Sequence, residues 1–274
     1  MTDSKNPYIG ASGEAELKAS VVAFVDILGF KELASSTGEG APARDLLCRL
    51  RRALRESIKH IRYYEKSSNS RAPDVYRVRI FTDNIVIAHP IAEDGEMELG
   101  LLFTQLAIFQ TLLATHGFFA RGGIAIGEAT IDEDIVFGPG LVKAYELEST
   151  KARDPRIVLS TEAEAAVKTH LENYADQMDA PQTSEFLVDA DGQLFINYLH
   201  AALLDDEPRV DIIRSHKQQV ETQLSAMLNR PQIWSKYAWV ASYHNFFCVQ
   251  NQDQIPSDLK IDMTQFSLRP RLLA

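Results

Sequence analysis

The sequence predicts an α+β fold: one mixed sheet flanked by helices. Three observations predict it. Short β-rich runs and longer segments of helical spacing follow in the order strand, helix, helix, hairpin, helix, strand, strand, helix, strand. Two turn signals, Asp83-Asn84 and Asp191-Gly192, each sit between apolar runs as hairpin tips do. The 274 residues are 45% apolar, enough for a sizeable core, and no run of 18 apolar residues interrupts the pattern.

Taken in order, residues 1–18 are polar and read as a flexible lead. "VVAFVDI" reads as a buried strand over 20–27, and Gly29–Ala34 as the start of a short helix. After "SSTGEGAP", Leu46, Leu47, Leu50, Leu54, Ile58 and Ile61 recur at helical spacing, with Arg and Lys outside. "SSNSRAPD" is a loop, and "VYRVRIFTDNIVIAHP" folds as a hairpin around Thr82-Asp83-Asn84. An amphipathic helix is expected over Glu96–His116, then a strand, an acidic turn and a short strand in "GFFARGGIAIGEATIDEDIVFG". Pro139 opens a helix at a position that favours proline. "PRIVLS" is a strand whose Ser160, or Thr161, caps the helix that follows. A second hairpin turns at Asp191-Gly192, and the last third is helical, about Val210–Asn229 and then "IWSKYAWVASYHNFF".

The formal net charge of −10 argues against binding long nucleic acids through a basic surface. A nucleotide substrate remains compatible with it, because a divalent cation shields phosphates. The N-terminal stretch has no signal-like apolar region and no membrane segment is expected, so the chain reads as cytoplasmic. Cys48 and Cys248 are too few and too far apart for a disulfide framework or a zinc cluster, and both are expected as small buried residues. The seven histidines show no ligand spacing. Any metal site is therefore oxygen-rich and suited to magnesium or manganese.

Two acids stand out by position. Asp26 closes an apolar strand, and Asp83 sits at the tip of a hairpin. A carboxylate at the end of a buried strand is costly unless it is paired, hydrogen-bonded or bound to a cation. If the first strand lies beside that hairpin, both carboxylates reach one edge of the sheet. With a carbonyl such as that of Ile27 they would bind one or two magnesium ions, with water and phosphates completing the shell. Two metals about 4 Å apart can activate an attacking oxygen and stabilise a leaving one. The alternative is plain: Asp26 caps the helix that follows, and Asp-Asn is a good turn pair by itself.

"FVDILGF", "FTDNIVIA", "RGGIAIGEA" and "FGPGLVKAYELES" follow the order of the class III nucleotidyl cyclase catalytic domain, and the chain resembles that superfamily from Val21 to Ser149. Their wording, with "SKYAWVASYHN" near the C-terminus, is most similar to the bacterial Pycsar pyrimidine nucleotide cyclases. The resemblance implies a cyclase-like mixed or antiparallel sheet flanked by helices, with a helical C-terminal extension. It places the metal ligands at Asp26, Asp83 and the Ile27 carbonyl, holding two Mn2+ or Mg2+ ions per site. The amides around Leu28, Gly29 and Phe30 would approach the triphosphate, as a helix start favours. Arg121, Gly123, Ile124 and Gly127 correspond to the family's R-x-G-I-x-x-G strand, with Arg121 in the catalytic set.

Departures from the family pattern bear on the substrate. Arg79 stands where purine cyclases carry a base-reading Lys, and Ile135 where they carry an acid or small polar residue. An Arg fork donates to base carbonyls, and Ile cannot accept the adenine amino group, which favours a pyrimidine. The alternative for Arg79 is an exposed strand residue in the alternation Arg77, Arg79. The family's Asn and Arg on the next helix fall on Val142 and Glu146, which cannot replace them. Lys143, Arg121 and Arg153 are candidates to substitute, and Lys143 is placed with the substrate-binding set. Lys236, Tyr237, Trp239 and Tyr243 read as core or dimer contacts, and His244 and Asn245 suggest no partner.

The resemblance thus implies a homodimer with sites at its interface, converting UTP to cyclic UMP and pyrophosphate. The product would be a second messenger in anti-phage defence, sensed by a separate cyclic-nucleotide-binding effector. Cyclisation of CTP is the alternative, as is an inactive cyclase-like module that binds a nucleotide and regulates. A palm-like polymerase or nuclease shares the two-carboxylate logic but lacks a basic channel here. The expected division is a lead over 1–18, a catalytic domain over 19–200 and a helical extension over 201–274.

Overall fold

Strand β1 (Lys18–Ile27) forms because Val21, Ala23, Val25 and Ile27 point to one side and Val22, Phe24 and Asp26 to the other. The structure is a computed structural model and describes residues 6–30, 41–66, 77–81 and 83–266. The helix expected over Gly29–Ala34 falls outside these beyond Phe30, as do Thr82, the loop 67–74 and the side chain of Ile61.

β1 is central. It pairs antiparallel with β3 (Asn84–Pro90) on one side and with β4 (Ala120–Ile131) on the other. The sheet has eight strands in the order β2-β3-β1-β4-β6-β8-β7, with β5 paired to β4. Its remaining strands are β2 (Arg77–Phe81), β5 (Val136–Phe137), β6 (Ile157–Leu159), β7 (Phe186–Val188) and β8 (Leu194–Ile196). Every pair is antiparallel except β4 with β6, so the predicted mixed α+β sheet is the fold.

One face carries most of the apolar core. It packs α1 (Ala41–Lys66), α2 (Glu96–Thr115), α6 (Val210–Ala226) and α7 (Pro231–Gln250) against Val21, Ala23, Val25 and Ile27. Ile213, Val220 and Val240 belong to that same cluster, so the C-terminal helices share one core with the sheet. The other face is covered by α3 (Pro139–Thr150), whose Ala144 and Leu147 meet Val22, Val86, Ala88 and Ala125. α4 (Thr161–Leu171) is capped by Ser160, whose hydroxyl accepts from the Ala163 amide, and a single turn α5 (Gln182–Glu185) leads into β7.

Four expectations need correction. Residues 6–17 fold onto the sheet: Tyr8 is fully buried, its hydroxyl 2.9 Å from that of Ser20, and Asn6 donates to the Ile131 carbonyl. α2 is buried nearly all round rather than on one stripe, because it runs between the sheet and α1 and α6. That helix is long and apolar enough to cross a membrane, but 67% of its apolar window is buried inside the fold. On α1 the core stripe runs through Leu46, Leu50, Ala53, Leu54 and Ile58, leaving Leu47 63% exposed. Cys48 is exposed one residue further on, and Cys248 alone is buried.

Two glycines set how closely α3 approaches β4. A Cβ on Gly123 would lie 2.4 Å from the Ala144 carbonyl oxygen, and one on Gly127 would lie 2.9 Å from Gly140 Cα. The "RGGIAIG" spacing therefore has a packing cause. Gly123→Ala should lower stability by about 1–3 kcal/mol, the range for overpacking, because the contact is with backbone. Thermal unfolding checks this, and an unchanged midpoint would contradict the close packing.

His216 and His244 form a buried directional chain. His244 Nε2 donates to the Leu259 carbonyl (2.8 Å), so its Nδ1 accepts from His216 Nδ1 (3.0 Å), and His216 Nε2 accepts from the Tyr198 hydroxyl (2.8 Å). Every position is filled with both rings neutral. Burial holds His244 down to about 4 and His216 well below the ordinary imidazole value. The unfolded chain takes up protons below about pH 6.5 that the folded chain refuses, so stability is full above that pH and falls below it. The expected loss is up to about 1.4 kcal/mol per pH unit for each ring. Urea midpoints at pH 7 and pH 5 check it; equal midpoints would contradict it.

Candidate active site

Asp26 and Asp83 meet at one edge of the sheet. The Ile27 amide donates to the Asp83 carbonyl at 3.2 Å, which fixes the β2–β3 turn against the end of β1. The Asp83 carboxylate is near enough to push the Asp26 carboxyl up. Asp26 lies in register with Asn84 on one side and Arg121 on the other, so these side chains share a face. Arg121 Nε donates to Asp26 Oδ2 at 3.2 Å, and its Nη2 lies 2.7 Å from Glu148 Oε1. The second contact is not aligned as a hydrogen bond, so Glu148, 4% exposed, is held chiefly by charge. Helix α3 brings Glu148 here because Ala144, one turn before it, and Leu147, just before it, seat on Gly123.

Negative charge is in surplus at this edge. Burial raises the Asp26 carboxyl above its ordinary value, Arg121 only partly opposes this, and Asp83 adds to it. Glu148 is raised by burial, with Asp26 and Asp83 acting against Arg121 and Lys236. Lys236 of α7 is half-buried, and burial and Arg121 lower its ammonium against the pull of Asp154, Asp26 and Glu148. Among the described residues no group of three or more His, Cys, Asp or Glu side chains is arranged around a metal position. The pair Asp26 and Asp83 is a hard-oxygen donor set whose repulsion a divalent cation would relieve, so the residues fit magnesium or manganese.

The structure sorts the remaining expected residues. The Leu28 amide donates to the Phe119 carbonyl at 2.7 Å, so it is not open to a phosphate. Gly29 turns the chain at φ 71°, a left-handed value that favours glycine. The Gly29 and Phe30 amides donate to no carbonyl among the described residues, and the Phe30 ring packs on the core. Arg121 is engaged by carboxylates on both sides, which makes it a positioning group for Asp26.

Arg79 and Ile135 do come into one neighbourhood. Arg79 Nε donates to the Asp132 carbonyl at 2.5 Å, at the base of the β4–β5 turn that carries Ile135, and Nη1 donates to Val78. Ile135 sits in that turn, exposed, with its amide on Asp132 Oδ1, rather than on a strand facing a base. By register Arg79 shares Asp26's face two strands over and two residues along, roughly 12 Å away. Lys143 is engaged by Glu162 at 2.8 Å instead of by the acid pair, and Arg153 is exposed. Val142 and Glu146 point outward from α3 beside exposed Phe137 and Tyr145.

Sequence reasoning missed Glu148, Lys236 and Asp154. The close approach of α3 at Gly123 sets a helical phase that turns Glu148 inward, and that signal was present. Nothing local marked Lys236. The tail around it is structural: Tyr237 meets Phe119 edge-on, and Asn245 pairs with both backbone groups of Ile261. His244 and Asn245, for which the sequence suggests no partner, thus hold the C-terminal segment in place.

No family model matches the chain, and no curated protein matches it. Among solved structures it is similar to a class III adenylyl cyclase-like ATP-binding protein from Pseudomonas aeruginosa, at 12% identity and TM-score 0.38. That match covers 55% of this chain and 35% of the other, so the chain spans about a third of that neighbour. It is also similar to the guanylyl cyclase Cya2, at 15% identity and TM-score 0.37, covering 55% of this chain and 79% of that one.

Proposed function

We propose that the chain is a cytoplasmic, metal-dependent pyrimidine nucleotide cyclase of the class III type, making cyclic UMP and pyrophosphate from UTP. The observation that carries this reading is the meeting of Asp26 and Asp83 at one sheet edge, tied by the Ile27–Asp83 backbone bond. The four motifs in family order support it. The catalytic unit is residues 19–200, with 201–274 as a helical extension on the same core.

Asp26 and Asp83, with the Ile27 carbonyl, would hold two Mn2+ or Mg2+ ions. When bound, such ions polarise the α-phosphate and lower the pKa of the attacking hydroxyl. Arg121 keeps the Asp26 carboxylate oriented, and Glu148 braces Arg121 from behind. The Gly29 and Phe30 amides are left to face the phosphates. In the reaction the bond from the 3′-oxygen to the α-phosphorus forms and the bond to pyrophosphate breaks, with the hydroxyl proton passing to solvent. Such chemistry needs positioning and charge stabilisation more than a protein nucleophile.

Arg79 reads the base. Its Nη2 donates to nothing among the described residues and can give a hydrogen bond to a uracil carbonyl. Cytosine, with O2 and N3 as acceptors, is the alternative. A second copy covers the outer face of α3, where Phe137, Val142 and Tyr145 are exposed together, and completes the site across the dimer. The product acts through a separate cyclic-nucleotide-sensing effector in anti-phage defence.

Incubation of the protein with each nucleoside triphosphate and Mn2+, with products identified by mass, tests the reading. Cyclic UMP supports it, and cyclic CMP selects the alternative base. Nucleotide binding without any cyclic product makes the chain a cyclase-like regulator.

A further inference from the structure

Among the described residues near the acid pair, the cations are nearly all engaged. Arg121 lies between Asp26 and Glu148, and Lys143 is taken by Glu162. Arg156 is buried against Asp189 and Asp191. Lys236 is different. It closes no ion pair or hydrogen bond among the described residues, although it is half-buried and within electrostatic reach of Asp26, Glu148, Asp154 and Arg121.

Its place is fixed by the residues around it. Tyr237 packs edge-to-face on Phe119, with ring centroids 5.4 Å apart. Phe119 in turn receives the Leu28 amide, so this end of α7 stands over the turn that follows β1. One residue beyond Ala238, Trp239 Nε1 donates to Asp189 at 2.8 Å, and the Arg156 guanidinium lies 5.9 Å from the Trp239 ring centroid. α7 is thereby anchored directly after Lys236, and Trp234 packs on Phe266 just before it, while the three donors of the ammonium stay unspent among the described residues.

An uncommitted cation at the rim of a surplus-acid edge suits an anion that arrives with its own counter-ions. Resting on the nucleotide reading above, we infer that Lys236 anchors the phosphate tail of the bound nucleotide, a substrate contact supplied by the C-terminal extension. The competing role is a structural counter-ion for Glu148 and Asp154. The two differ in what they discriminate. A phosphate anchor favours triphosphate over monophosphate, whereas a counter-ion changes stability and treats both ligands alike.

The test is calorimetric binding of UTP and UMP in Mn2+ buffer (CTP and CMP if mass analysis selects cytosine), with wild type, Lys236→Met and Lys236→Arg. Loss of one charge-assisted hydrogen bond to phosphate predicts about 10- to 100-fold weaker UTP binding for Lys236→Met. UMP affinity should stay within about twofold, Lys236→Arg should restore most of the UTP affinity, and the thermal midpoint should not move. Unchanged UTP binding, or equal loss for UTP and UMP, overturns the anchor. Wild type that cyclises while Lys236→Met binds normally sinks the anchor and leaves the cyclase standing. Wild type that binds but does not cyclise, with the predicted loss in the variant, keeps the anchor and sinks the cyclase. Failure of wild type to bind any nucleoside triphosphate overturns both.

Discussion

Asp26→Ala or Asp83→Ala abolishes nucleotide cyclisation, by at least about 10³-fold in kcat, while the protein still folds. A thousandfold loss corresponds to roughly 4 kcal/mol of transition-state stabilisation, within the reach of a lost metal site. The fold survives because the Asp26 carboxyl is raised by burial and by Asp83, so its charged form is a liability in the folded chain at neutral pH. Arg121 keeps Glu148 as a partner when Asp26 is removed. Circular dichroism and thermal unfolding separate loss of chemistry from loss of structure. Retained turnover in either variant contradicts the assignment of that carboxylate.

The second large effect falls on stability. Arg156 is 1% exposed and holds the β7–β8 turn through Asp189 and Asp191, the latter at 2.5 Å, while its backbone carbonyl receives the Gly122 amide. Asp189 also accepts from Trp239, so the pair joins β6, the hairpin and α7. Removing the buried guanidinium leaves Asp189, only 20% exposed, unpaired and opens a cavity, and Arg156→Ala should cost about 3–5 kcal/mol. Arg156→Lys should recover only part, because an ammonium cannot reproduce the forked contact. Urea unfolding checks both. A loss under about 1 kcal/mol would show that the turn and α7 hold without it. Because α7 carries Lys236, the same variant should weaken nucleotide binding as well.

The strands and their order were legible because apolar alternation and turn residues are local signals. Asp83-Asn84 and Asp191-Gly192 turn where the sequence places turns, and Ser160 caps its helix. The acid pair was legible too, since a strand ending on Asp26 and a hairpin tip at Asp83 need only one pairing, β1 with β3, to meet. What was not legible is the long-range commitment of each cation. Asp191-Gly192 announced a turn, but not that Asp189 and Asp191 receive Arg156. The sequence put Lys143 with the substrate and read Lys236 as a core or dimer contact, and only tertiary packing gives Lys143 to Glu162 and leaves Lys236 near the acid pair. Tyr8 was lost in a polar context because its hydroxyl partner, Ser20, lies on the neighbouring face of β1.

The most direct test of the central claim is Mn2+ binding, followed by electron paramagnetic resonance with UTP present, in wild type and in an Asp26→Asn/Asp83→Asn double variant. Two Mn2+ ions per chain in wild type, and loss of both in the variant, are the expected result. Equal Mn2+ binding by the two proteins would contradict the acid pair as the metal-holding edge of the sheet.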